Sequence, residues 1–153
     1  PLTPNCSMRL NELAAAIALP QLASLEERND AWRAIYNRLE SGISGLPNLR
    51  VPRTLDAVVH APTSFQFVVG LPPEGIESRL AMCAERGVPI KWFGRSYATG
   101  FTSIHRHWGY VETRALPKGD AVLAGLCDVR LPSDLTVEEV DTIVAVICLA
   151  FGH

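Results

Sequence analysis

Residues 5–39 read NCSMRLNELAAAIALPQLASLEERNDAWRAIYNRL, and their spacing decides what kind of fold the chain can build. Leu10, Leu13, Ala14, Ile17, Leu22 and Leu25 recur near helical spacing, and Trp32, Ile35, Tyr36 and Leu39 continue the stripe. Glu26, Glu27, Arg28, Asp30, Arg33 and Arg38 lie opposite, the pattern of a solvated face. The spacing predicts a long helix within 5–45, bent or broken at Pro20, whose ring removes an N–H and crowds the preceding turn. Asn5 or Ser7 is available as N-cap, and Pro1 to Ser7 reads as a connector. Ser41-Gly42, Gly45 and Pro47 are stop signals. A helix this apolar on one side needs cover from the rest of the chain or from a partner.

The remaining elements are compact. Ser64 to Val69, SFQFVV, is a strand with apolar residues on alternate and then both faces, expected in the middle of a sheet. Glu74 to Arg86 follows as a helix with Ile76, Leu80, Met82 and Cys83 inward and Gly87 at its end. Val88 to Phe93 is the next strand, and Leu116 to Leu126 a short helix started by Pro117. Cys127 to Leu131 is a strand stopped by Pro132. Thr136 and Glu139 form a capping box for a closing helix with Val140, Ile143, Val144, Ile147 and Phe151 on its apolar face. The expected fold is α+β over 1–153 as a single domain: a small mixed or antiparallel sheet packed with helices, a long N-terminal helix in 5–45, an α+β core over 60–151 and a C-terminal helix.

The composition narrows the function classes. A chain of 153 residues with 48% apolar side chains and a mean hydropathy of +0.14 can bury a sizeable core. The formal net charge is −2 and there is no Lys/Arg block, which argues against a nucleic-acid partner. No apolar run reaches spanning length, and no basic segment leads into an apolar one at the start, so neither membrane insertion nor a signal peptide is expected. Cys6, Cys83, Cys127 and Cys148 are scattered, as expected of reduced thiols in a cytoplasmic protein. His105 and His107 form an H-x-H pair, which on a strand would share one face, but no third ligand stands at a telling spacing, so no metal is expected.

Residues 94–112, GRSYATGFTSIHRHWGYVE, have no clear period and concentrate aromatic, hydroxyl and guanidinium groups, as functional loops do. Arg95, His105 and Arg106 are the candidate substrate contacts, because a guanidinium fork suits carboxylate or phosphate. The alternative is a set of arginines lying over aromatic faces. Asp128, Asp134, Glu138, Glu139 and Asp141 read as caps and helix-surface charge, and no residue stands out as catalytic.

The order of these motifs resembles the C-terminal, small domain of DegT/DnrJ/StrS-type sugar aminotransferases, pyridoxal-phosphate enzymes of the aspartate-aminotransferase fold, fold-type I. Four stretches bear the likeness: Arg9 to Ile17 with Gln21-Leu22; Ser64 to Val69 with the helix closing on Arg86-Gly87-Val88; Lys91 to Gly94 with Phe101-Thr102-Ser103 and Trp108; and Cys127 to Pro132 with Leu135 to Val140. The resemblance implies that an asparagine near the start of the first helix reaches the cofactor phosphate of a neighbouring subunit. Ser7 stands at that position here, with Asn5 two residues before it, so both are the candidate cofactor contacts.

The resemblance also implies a large domain that holds pyridoxal phosphate on a lysine. The chain has two lysines, Lys91 and Lys118, and neither stands in the family's lysine motif. The expectation is that this polypeptide by itself forms no internal aldimine, and that pyridoxal phosphate enters only with a lysine-bearing partner domain. Two roles follow. One is a part of an aminotransferase whose chemistry needs that domain; the other is a non-catalytic dimeric binding module that kept the fold. A homodimer is expected under both.

Overall fold

The computed structural model describes residues 11–152, so Asn5, Cys6 and Ser7 lie outside the described residues. Its elements run α1 (Glu12–Leu22), α2 (Leu25–Ile43), β1 (Leu49–Arg50), β2 (Ser64–Val69), α3 (Pro73–Glu85), β3 (Lys91–Trp92), α4 (Pro117–Gly125), β4 (Leu126–Arg130) and α5 (Val137–Phe151). The strands form one antiparallel sheet in the order β1-β2-β4-β3, so β2 is central as expected. The fold is α+β.

Register explains the two faces of the sheet. Phe65 pairs with Val129 and Phe67 with Cys127, which places four buried side chains on one face. Helices α2 and α5 pack together over the core that this face forms, and α3 packs on α5. Phe67 meets Phe151 edge-on at 6.1 Å between ring centroids, and Tyr36 of α2 tilts onto Phe65 at 4.9 Å. Leu39 and Ile147, both buried, complete the centre. Burying a side chain of this size is worth about 1.5–3 kcal/mol. Two indole donors tie the layers: Trp32 Nε1 donates to the Leu131 carbonyl at 2.9 Å and Trp92 Nε1 to the Ala124 carbonyl at 2.8 Å.

Thr136 and Glu139 form the expected box. Thr136 Oγ1 accepts from the Glu139 amide at 3.2 Å, and the Thr136 amide donates to Glu139 Oε2 at 2.8 Å. Arg38 of α2 grips Asp141 of α5 with two hydrogen bonds, at 2.6 and 2.7 Å, and holds that carboxyl below the usual range. Both groups are about half-exposed, so the bridge orients the helices more than it stabilises them. The thiols of Cys83 and Cys127 are buried and free, and burial pushes Cys127 up to about 12. Cys148 is free as well. No helix among the described residues is long and apolar enough to cross a membrane.

Three expectations are corrected. The first helix does not break at Pro20, which lies inside α1; the break falls at Ala23-Ser24. Proline removes one amide donor, and a helix flanked by solvent leaves the orphaned carbonyl of the preceding turn wet. The strand expected over 88–93 shrinks to Lys91–Trp92, because Pro89 has no amide to donate to a ladder. Gly42 does not end its helix but lies where α2 and α5 touch: a Cβ there would stand 2.6 Å from Val144 Cγ1. The stop falls at Gly45, with a φ of +84°.

Gly125 is a second close approach. It ends α4, and a Cβ there would lie 2.2 Å from the Val69 carbonyl oxygen, a backbone atom of β2 that cannot swing away. Gly125→Ala is expected to destabilise the chain by roughly 1–3 kcal/mol, the range for overpacking. A urea midpoint lowered with an unchanged slope checks it.

Candidate functional site

The sheet's second face is where polar chemistry collects. Gln66 of β2 pairs with Asp128 of β4, which pairs with Lys91 of β3, so the three side chains form a row across three strands. Asp128 is buried, 6% exposed. Its Oδ2 accepts from Gln66 Nε2 at 3.4 Å, and Lys91 Nζ lies 3.8 Å from Oδ1. Asp128 is therefore no helix-surface charge, as its sequence setting suggested. The alternation of CDVRL against SFQFVV was the signal for its place: pairing Cys127 with Phe67 turns Asp128 away from the helices.

The irregular segment between β3 and α4 runs on beyond this row. It includes one turn of 3-10 helix, His105–His107, and a tight antiparallel bridge between Thr99 and Thr102. The H-x-H pair is thus on a turn, not on a strand, and its rings have separate tasks. His107 Nδ1 accepts from the Ile104 amide at 3.2 Å. His105 Nε2 lies 3.5 Å from Asp120 Oδ1 of α4, and Arg106 Nη2 lies 3.9 Å from the same oxygen. Both His105 Nε2 and Asp120 Oδ1 are buried without a hydrogen bond. Asp120 Oδ2 accepts from the Leu116 amide at 3.3 Å, so this carboxylate caps α4 while it holds the segment. No group of three or more metal-ligating side chains exists among the described residues.

The three sequence-derived substrate contacts fall into two clusters. His105 and Arg106 meet at Asp120. Arg95 is in the other, where its guanidinium lies 5.8 Å from the ring centroids of both Trp92 and Tyr97. Arg95 Nη1 donates to the Tyr97 hydroxyl at 2.9 Å and pairs with Glu77 at 3.1 Å. Asn5 and Ser7, the two candidate cofactor contacts, are outside the described residues. Asp120 and Glu77 were missed as members of these clusters, because their partners are distant in sequence.

Comparison with known proteins then gives the family. The model of the DegT/DnrJ/EryC1/StrS aminotransferase family matches residues 3–148, and the chain belongs to that family. The fold is similar to that of the aminotransferase TlmJ from Streptoalloteichus hindustanus, with a TM-score of 0.75 at 22% identity over 92% of this chain and 36% of that one. A DegT DnrJ EryC1 StrS aminotransferase from Brucella abortus gives 0.70 at 20% identity, over 95% of this chain and 37% of its own. S. venezuelae DesV, solved with a ketimine intermediate, gives 0.72 at 18%, over 93% and 37%. The chain thus spans a little over a third of the length of the solved aminotransferases it matches.

Pyridoxal phosphate, the cofactor implied by the family, requires a free amine in a sheltered pocket. Neither lysine fits. Lys91 faces the buried Asp128 carboxylate, and Lys118 is exposed at the start of α4. Lys91 is instead a counter-charge. Lys91→Met should leave a buried carboxylate without its cation and cost roughly 1–3 kcal/mol, discounted from a fully buried pair because the lysine is partly exposed. Asp128→Asn should cost less, since an amide needs no counter-charge. Chemical denaturation of the two variants checks the order.

Proposed function

We propose that this chain is the small-domain portion of a pyridoxal-phosphate-dependent sugar aminotransferase, and that the lysine binding the cofactor comes from residues outside it. Family membership supports the reading, as does a length of little more than a third of the matched enzymes. The observation that bears most weight is the commitment of Lys91 to Asp128, which leaves no sheltered free amine among the described residues.

Helix α1 supports the same reading from the other side. Leu13, Ile17, Leu19 and Leu22 are between 57% and 71% exposed, and no residue of α1 is buried. A helix apolar all round is a helix built for an interior. We assign its cover to the lysine-bearing domain and to a second copy of the chain, in a homodimer. In that assembly Asn5 and Ser7 would reach the cofactor phosphate of the neighbouring subunit, and Arg95, His105 and Arg106 would face the substrate mouth. The free thiols fit a reducing, cytoplasmic compartment.

The test uses the 153-residue chain with added pyridoxal phosphate, reduced by borohydride and mapped by mass spectrometry. The expected outcome is no stoichiometric adduct on Lys91 or Lys118. A stable, stoichiometric adduct on either lysine contradicts the reading. In sedimentation at micromolar concentration the chain is expected to self-associate, and a monodisperse monomer counts against the assigned dimer.

A further inference from the structure

Beside the Asp128 row lies a cleft of about 440 Å³, within the range of small-molecule sites. One wall is cationic. Lys91 comes from β3, Arg95 from the turn after it, and Arg130 from the end of β4. Asp128 offsets Lys91 and Glu77 offsets Arg95, whereas Arg130 has no carboxylate partner among the described residues. Arg95 is also held still. Its planar group is fixed by the Trp92 and Tyr97 rings and by the Tyr97 hydroxyl, through Nη1. Its Nη2 makes no hydrogen bond with any described residue, so a donor stays available.

A hairpin tip also lines the cleft. The Thr99 amide donates to the Thr102 carbonyl and the Thr102 amide to the Thr99 carbonyl, both at 3.0 Å. Gly100 and Phe101 form the two-residue turn between them. Phe101 is 99% exposed yet lines the cleft, on a turn closed by paired hydrogen bonds. An exposed aromatic ring in the same cleft as guanidinium groups suits a ligand that carries both a flat group and an anion.

We propose that this cleft binds a small aryl anion, a planar ring bearing a phosphate or a carboxylate. The ring stacks on Phe101, and the anion accepts hydrogen bonds from Arg130 and the free end of Arg95. The inference does not rest on the reading of the chain as an aminotransferase part, because no cofactor, lysine chemistry or partner enters it.

Calorimetric titration of the 153-residue chain tests it, with phenyl phosphate and benzoate as probes and inorganic phosphate and phenol as the separate halves. At least one aryl anion should bind saturably, and more tightly than either half. Arg130→Ala should weaken it about tenfold, the loss of one charge-assisted hydrogen bond, and Phe101→Ala roughly fivefold. Arg114→Ala, an exposed arginine paired with Glu112, should leave binding unchanged. Phe101 is outside the core, so its variant remains informative if the Arg130 variant fails to fold. The proposal is overturned if neither aryl anion saturates or if a half binds as tightly as the whole. It is equally overturned if Phe101→Ala has no effect or if Arg114→Ala weakens binding as much as Arg130→Ala.

Discussion

Pairing of β2 with β4 is the constraint from which the rest of the structure follows. Phe65 opposite Val129 and Phe67 opposite Cys127 put both phenylalanines, Cys127 and Val129 on the helical face. A slip of one residue would turn Asp128 and Gln66 into that layer and the phenylalanines out of it. The cost would be two buried phenylalanines at about 1.5–3 kcal/mol each, together with a carboxylate stripped of its cation. No surface pair approaches that scale. The Arg38–Asp141 bridge, half in water, orients two helices that Leu39, Ile147 and Phe151 already hold.

The same register produces the polar face. Because β3 is short and lies at the edge, Lys91 meets Asp128 from one side only, and the segment after it is free to leave the sheet. That segment returns to the fold twice, once through Arg95 on Trp92 and Tyr97, and once through His105 and Arg106 on Asp120. Two anchored points with a hairpin near the first give a loop that is irregular in backbone and still fixed in place. Helix α1 is the opposite case: regular in backbone, capped by Asn11, and with no residue buried among the described residues.

Much of the scaffold was legible in the residue pattern. Strand SFQFVV, the capping box at Thr136 and Glu139, and the closing helix all have local signals strong enough to fix their bounds. The order of motifs also pointed to the family. Errors arose where tertiary context overrode a local rule. Pro20 is tolerated in a helix with no buried residue, Gly42 serves contact instead of termination, and Pro89 starves a strand of donors. The site was less legible for a related reason. Arg95 meets Glu77, His105 and Arg106 meet Asp120, and Lys91 meets Asp128 only through the fold, and sequence separation hides such pairs.

Most of the buried side chains lie in α2, α3, α5 and the sheet, whereas α1 exposes Leu13, Ile17, Leu19 and Leu22, and we propose that another domain or a second copy covers it. Amide hydrogen exchange, followed as the chain is diluted from high to low micromolar concentration, addresses this directly. Amides of β2, β4 and α5 should keep their protection throughout, while those of α1 lose theirs as partners dissociate. Strong protection of α1 that does not change with concentration would contradict the account, because it would mean that this chain covers the helix by itself.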